Sequence, residues 1–373
     1  MIAPARTAPV VGQMVGPVVA QVVAQVAARV MICDDSAVIR GAIARMLEAE
    51  PGIHVVAKVA NGRQAIDELK RTKTDVLVLD IEMPVMDGLS ALPLLLKVDP
   101  GLRIVMSSTL TTHGAEVAMR ALRLGAADYV PKPSSLRDAN DDSFRRDLVS
   151  KIKGLAQLRN RTFVPVRVRP SVVTRAAPVL APKLLAIASS TGGPQALFTL
   201  VPGLGKSLNV PVILTQHMPA TFTPILADHI TRLGGMPCAE AKDGEALANG
   251  RIYLAPGDKH LMVELDGGTY RARLSTDPPE NFCRPSVDPM LRSAVRASGG
   301  RVLVAMLTGM GQDGLAGTRL VVEQGGVAVA QDEATSAVWG MPGAIALAGL
   351  CHAVLPLPRI ASKVLELLRV RVR

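Results

Sequence analysis

The stretch TDVLVLDIEMPVMDG, residues 74–88, decides how the first half of the chain is read. Val76 to Leu79 run apolar into Asp80, and a turn with Pro84 and Gly88 follows. A short unbroken apolar run bounded by turn residues fits a strand buried on both faces. RVMIC (29–33), ending at Asp34 and Asp35, IHVVAKVA (53–60), RIVMSST (103–109) and ADYVPKP (127–133) read as further strands. Between them AVIRGAIARMLEAE (37–50), GRQAIDELKR (62–71), LSALPLLLKV (89–98) and GAEVAMRALRLG (114–125) carry helical apolar spacing. A last helix is expected from near Asp141 to about Arg159. Strands alternating with helices predict a parallel sheet covered on both faces.

The alternation resumes after a break. Residues 160–182 hold Pro165, Pro170, Pro178 and Pro182 without helical period and read as an extended linker. Strands are then expected at LLAIAS (184–189), VPVILTQ (210–216), RIYLAP (251–256), RVLVAMLTG (301–309), GVAVAQ (326–331) and near HAVLPL (352–357), with helices between most of them. The expected fold class is therefore α/β, with two doubly wound domains and mainly parallel sheets. A flexible extension (1–28) precedes a five-strand domain (29–150). A helix end and a basic, Pro-containing linker (151–182) lead to a second, Rossmann-like domain (183–373).

Composition agrees with two cores: the chain has 373 residues, 49% of them apolar. Aromatics make up only 2%, which argues against a base-stacking nucleic-acid binder. Of the net charge of +10, residues 143–183 supply +9, from ten Lys or Arg against Asp147. Without a helix-turn-helix or zinc-finger pattern around it, that segment reads as a solvated linker, and no specific nucleic acid is expected. Cys33, Cys238, Cys283 and Cys351 form no CxxC and no zinc spacing, so they read as reduced structural cysteines of a cytosolic protein. No apolar window reaches the roughly 18–20 residues of a membrane span, so no membrane insertion is expected. The Ala/Val-rich N-terminus is broken by Gly12, Gly16, Pro17, Gln21 and Gln25, and it reads as an extension or an upstream start rather than a signal peptide.

Asp34 and Asp35 end the first strand, Asp80 the third, Ser108 the fourth and Lys132 the fifth. In a doubly wound sheet those ends converge on one crevice. Crowded carboxylates repel unless a hard cation joins them, and such a set suits Mg²⁺. With DDS (34–36), the 76–88 stretch and Lys132–Pro133, residues 29–150 resemble a response-regulator receiver domain. The resemblance implies that Asp80 accepts a phosphoryl group from a chemotaxis histidine kinase. It implies Mg²⁺ on Asp34, Asp35, Asp80 and the Glu82 main-chain carbonyl, and Ser108, Lys132 and Tyr129 as the switch.

The second domain opens on LLAIASSTGGPQALF (184–198). No GxxxxGK[ST] and no GxGxxG is present there, which leaves a plain connecting turn or a nucleophile site. A serine between strand and helix sits beside free N–H groups, but it needs a base and an orienting acid. Of six histidines, His217 directly follows a buried strand, as Asp313 closely follows another. Ser190, His217 and Asp313 are therefore expected within hydrogen-bonding reach in one cleft.

SSTGGPQAL, TQHMPATFT, YLAPGDKHL, RPSVDPML, LTGMGQDG and GMPGAI resemble the catalytic domain of the chemotaxis protein-glutamate methylesterases, the CheB family, and receiver, linker and this domain follow that family's order. The resemblance implies Ser190 as nucleophile, His217 as base and Asp313 as orienting acid, with Thr191 beside the nucleophile and the Met310 N–H in the oxyanion hole. It implies phosphorylation-activated hydrolysis of glutamate methyl esters on methyl-accepting chemotaxis receptors in the cytoplasm, with glutamine deamidation as a second activity and no cofactor for the hydrolysis. Its control logic is an unphosphorylated receiver that covers the hydrolase crevice. The family pattern Gly-Ala-Ser-Thr-Gly-Gly is altered here to Ala188-Ser189-Ser190, which adds a Cβ near the turn and a second hydroxyl. The Ser-Thr-Gly-Gly register assigns the nucleophile to Ser190. The alternative is a non-catalytic response regulator whose second domain only docks on a partner.

Overall fold

The computed structural model describes residues 27–133, 142–160, 175, 178, 180–206 and 208–369. Nearly all of the expected extension (1–28), most of the Pro-containing linker and the end of the basic tail lie outside the described residues.

The first sheet contains β1 (Ala28–Cys33), β2 (Ile53–Val59), β3 (Val76–Asp80), β4 (Arg103–Ser108) and β5 (Asp128–Pro131), in the order β2-β1-β3-β4-β5 with every pair parallel. The 76–80 run is buried at every position, as its composition predicts. Parallel neighbours need crossovers, supplied by α1 (Ala37–Glu48), α2 (Gly62–Leu69), α3 (Gly88–Val98) and α4 (Thr112–Arg123). Ser36, Asn61, Asp87 and Thr111 each cap one of them by accepting from the N–H three residues on.

α5 (Asp142–Asn160) corrects the reading of the basic segment. Its Leu148, Ile152, Leu155 and Ala156 are buried with Ile32, Val78 and Val130 of the sheet, so the receiver core extends along this helix. Its cations are engaged rather than merely solvated. Lys151 donates to the Tyr129 carbonyl (2.7 Å) and Asp147 (3.0 Å), and Arg159 bonds Asp99 (2.6 Å) and pairs with buried Asp75 (3.3 Å).

The second domain runs β6 (Leu184–Ser189), α6 (Gly193–Leu204), β7 (Val212–Gln216), α7 (Thr223–Arg232), β8 (Cys238–Glu240), β9 (Ile252–Leu254), β10 (His260–Asp266), β11 (Thr269–Ser275), α8 (Val287–Ser298), β12 (Val302–Met306), α9 (Leu315–Glu323), β13 (Val327–Gln331), α10 (Met341–Leu347), β14 (Ala353–Leu355) and α11 (Leu357–Leu368). Seven strands form one parallel sheet in the order β14-β13-β12-β6-β7-β9-β8. β8 and the antiparallel hairpin β10–β11 are additions to the elements expected from the sequence. The hairpin turns on Gly267 and Gly268, both at positive φ (54° and 83°).

The two domains touch directly. Tyr129 of β5 stacks on Phe222, with ring centroids 4.3 Å apart and planes 14° from parallel. Gln195 of α6 donates its amide to the carbonyls of Ala126 and Ala127. A crevice of about 1290 Å³ lies between the domains, and both contribute to its walls.

Candidate functional site

The crevice contains the hydroxyl and imidazole that the sequence singles out, with the carboxylate directly behind, and the sheet order explains how they meet. β12, β6 and β7 are adjacent. The chain runs from β6 to β7 on one side and later returns to the other, which makes β6 a topological switch point where loops splay apart. Ser190 leaves β6, His217 leaves β7 and Asp313 follows β12. Ser190 and His217 line the interdomain crevice, and Asp313 lies behind His217.

Ser189 and Ser190 have different tasks. Ser189 is fully buried and donates to Gln216 Oε1 (2.6 Å). Gln216 Nε2 then donates to the main-chain carbonyls of Ser190 (3.0 Å) and His217 (3.1 Å). Ser190 is partly exposed, and its hydroxyl has no hydrogen-bond partner among the described residues. Its backbone is fixed from both sides: its N–H donates to Thr308 O (3.0 Å) and its carbonyl accepts from Gly193 N (2.7 Å). Gly192 takes the left-handed turn (φ 71°) that ends the loop, and a Cβ on Gly193 would lie 1.9 Å from Gln216 Oε1. Ala188, which replaces a family glycine, is a buried strand residue without positive φ, so its Cβ sits in the core without disturbing the turn.

His217 Nε2 lies 2.8 Å from Asp313 Oδ2. Asp313 is 3% exposed and collects four further donors: Val287 N (2.7 Å) on Oδ2, and Ser286 Oγ (2.8 Å), Asn281 Nδ2 (2.9 Å) and Asp288 N (3.2 Å) on Oδ1. Two of these N–H groups belong to the first turn of α8, where a negative charge is favoured. Burial alone would raise the carboxyl's pKa, but His217, Val287 and Ser286 outweigh it and hold it below its ordinary value. His260 is buried and locked, accepting from Ser286 N at Nδ1 (3.1 Å) with Nε2 3.2 Å from Pro278 O.

No hydrogen bond joins Ser190 to His217. Facing His217 Nδ1 at 3.4 Å is Cys283 Sγ. Sequence alone makes Cys283 a structural cysteine and gives no role to the supporting residues Asn281, Ser286, Asp288 and His260. Motif RPSVDPML and the PGDKH turn are the only sequence signals that point to this cluster. Thr191 is buried beside Ser190, and the Met310 N–H makes no hydrogen bond among the described residues.

At the receiver crevice, carboxylate oxygens of Asp34, Asp35 and Asp80 all lie within 4.8 Å of one another. Lys132 Nζ contacts Asp80 Oδ2 closely and lies 3.5 Å from Asp34 and 3.8 Å from Asp35. Burial is the main force pushing Asp80 up to about 6, reinforced by Asp34 and Asp35 and opposed by Lys132. Asp34 Oδ2 is buried without a hydrogen-bond partner, so the donor set fits a hard cation. Glu82 lines a shallow pocket with Asp35. Ser108 is buried and donates to Gly114 O (2.7 Å), while Tyr129 is turned into the interdomain contact.

A parallel receiver with a clustered acid site, joined to an α/β domain with a hydrolase-type crevice, defines the class: a response regulator with an enzyme as its output domain. Residues 30–141 match the response regulator receiver domain model and residues 185–364 match the CheB methylesterase model. The protein-glutamate methylesterase/protein-glutamine glutaminase 1 of Paramagnetospirillum magneticum is 53% identical over 91% of this chain and 96% of its own length. The group 2 operon relative of Rhodospirillum centenum is 54% identical over 89% and 92%. The catalytic domain of Thermotoga maritima CheB methylesterase is 37% identical and covers 50% of this chain and all of its own, with a TM-score of 0.49. The chain belongs to the CheB methylesterase family. Its receiver domain implies the Mg²⁺ dependence usual for receiver phosphorylation. No helix among the described residues is long and apolar enough to cross a membrane.

Proposed function

We propose that the chain is a phosphorylation-activated protein-glutamate methylesterase with accompanying glutaminase activity, acting in the cytoplasm on methylated glutamates of chemoreceptors. The observation that carries this reading is the His217–Asp313 pair at 2.8 Å in the crevice that Ser190 lines. Ionised Asp313 accepts from Nε2, which leaves the imidazole lone pair on Nδ1. Ser190 Oγ attacks the ester carbonyl and gives its proton to Nδ1. The oxyanion is held by main-chain N–H groups beside Thr191 and by that of Met310. The tetrahedral species collapses, the imidazolium protonates the departing methoxide, and methanol leaves. Water, deprotonated by His217, then releases glutamate and frees Ser190. A glutamine amide follows the same path with ammonia leaving.

Control comes from the receiver. Asp80 takes the phosphoryl group from a chemotaxis histidine kinase. Asp34, Asp35, Asp80 and the Glu82 carbonyl would hold Mg²⁺, which when bound neutralises charge on the transferring phosphoryl oxygens. Lys132 pairs with the added charge, about −1.5 to −2. Ser108 leaves Gly114 O to meet the phosphoryl group, and Tyr129 withdraws from Phe222, which uncovers the crevice.

Methanol release from methylated receptor membranes, with and without a small acyl phosphate, tests the reading. Ser190→Ala should lower turnover by about 10⁴–10⁶-fold while Asp80 remains phosphorylatable. Asp80→Asn should keep the basal rate and lose the response. Normal methanol release by Ser190→Ala would refute the assignment.

A further inference from the structure

One loop reaches both the base and the receiver. Asn281 and Phe282 hold positive φ (53° and 62°), a left-handed conformation that non-glycine residues keep only where their surroundings enforce it. Asn281 is enforced by bonds to Asp313 (2.9 Å) and Asp288 (3.0 Å). Phe282 is 86% exposed, and its ring lies 5.3 Å from the guanidinium of Arg146 on the receiver's α5. Next in the chain, Cys283 places Sγ 3.4 Å from His217 Nδ1. Nε2 is committed to Asp313, so Nδ1 is the one nitrogen left to take a proton from Ser190. In this arrangement that nitrogen faces sulfur, and the Ser190 hydroxyl has no partner among the described residues.

We propose that Cys283 is a positioning residue that occupies Nδ1 of His217 while Arg146 holds Phe282, and that displacement of residues 281–285 hands this nitrogen to Ser190. The proposal rests on the catalytic reading of Ser190, His217 and Asp313. It adds a chemical lock to steric covering: the base is disengaged even where substrate could enter.

The electrostatics agree with the geometry. Burial opposes charge on the imidazole, but Cys283 and Asp313 outweigh it and push His217 up to about 10. A nitrogen already engaged with the sulfur is unable to take the Ser190 proton. Arg284, paired with Asp258, is the other charge on the loop. Asp128, Lys132, Asp147 and Lys151 face the crevice from the receiver.

The test is the pH dependence of kcat/KM for methanol release by the full chain, with and without a small acyl phosphate. Without phosphodonor, Cys283→Ala should move the acid limb down by about one pH unit or more, because it removes the partner that stabilises the imidazolium. Phe282→Ala, at an exposed position, should move it the same way without touching His217. With phosphodonor, wild type and both variants should converge. Should Cys283→Ala fail to fold, Cys283→Val, which fills the space without a group that bonds Nδ1, carries the same expectation. An unmoved acid limb, or an equal loss at every pH in both states, would show a merely structural cysteine and overturn the proposal. Ser190→Ala run in parallel separates the two failures. If it is inactive while the Cys283→Ala limb stays put, only the lock is wrong. If it is active and Cys283→Ala is dead, the thiol is the nucleophile and both readings fall.

Discussion

Tyr129→Leu isolates the energy with which the receiver is held over the crevice. Tyr129 is 4% exposed, Phe222 is fully buried, and their rings stack at 4.3 Å across the domain boundary. Leucine keeps an apolar side chain in place and deletes the ring pair, which is worth about 0.5–1.5 kcal/mol beyond area burial. An interaction present only in the covered form biases the covered–open equilibrium by its full strength, so that energy passes directly into the population of the open form. At about 1.4 kcal/mol per decade, the unstimulated rate should rise about 2- to 12-fold. The assay is methanol release without phosphodonor, with the fully stimulated rate as the reference that should stay constant. An unstimulated rate that stays level or falls, with the stimulated rate intact, would show that this stack does not hold the domains together.

Two further perturbations follow from buried groups. Asp128 is 2% exposed, one of its oxygens lacks a hydrogen-bond partner, and burial chiefly pushes its pKa up to about 6. A carboxyl with a folded pKa above its unfolded value near 4 stabilises the fold only while protonated, so wild type should lose stability relative to Asp128→Asn as pH rises from 4 through 6. The difference should be on the order of 3 kcal/mol, read by denaturant titration at pH 4 and pH 7.5. Gly309→Ala would place a Cβ 2.4 Å from Met341 Sδ and 3.0 Å from Ser190 Cβ. Methanol release should fall at least about 10²-fold through the displaced nucleophile, with a stability loss of about 1–3 kcal/mol in the same titration.

Sequence pattern reveals the elements whose physics is local. β3, β6, β7, β12 and β13 are apolar-rich and buried at every residue, and the carboxyl ends of the first four carry or lead to candidate site residues. β8 and β9 have three residues each, too short for periodicity to separate from loop, although β9's apolar run still signals a strand. The helix over α5 is legible in the sequence to about Arg159, but its cations read as merely solvated. The partners of Arg159, Asp75 just before β3 and Asp99 just after α3, are far away in the sequence, and nothing in the local pattern announces them. The Cys283–His217 contact joins residues 66 apart, and a lone cysteine carries no spacing signature.

The Ser189–Gln216 bond has an evolutionary corollary. A side chain that touches neither substrate nor base fixes the amide that spans the backbones of residues 190 and 217, so the gap between nucleophile and imidazole is gauged from beneath the floor of the cleft. Positions 189 and 216 should therefore drift as a couple. A homologue with alanine at the first must anchor its glutamine elsewhere or accept a looser gauge.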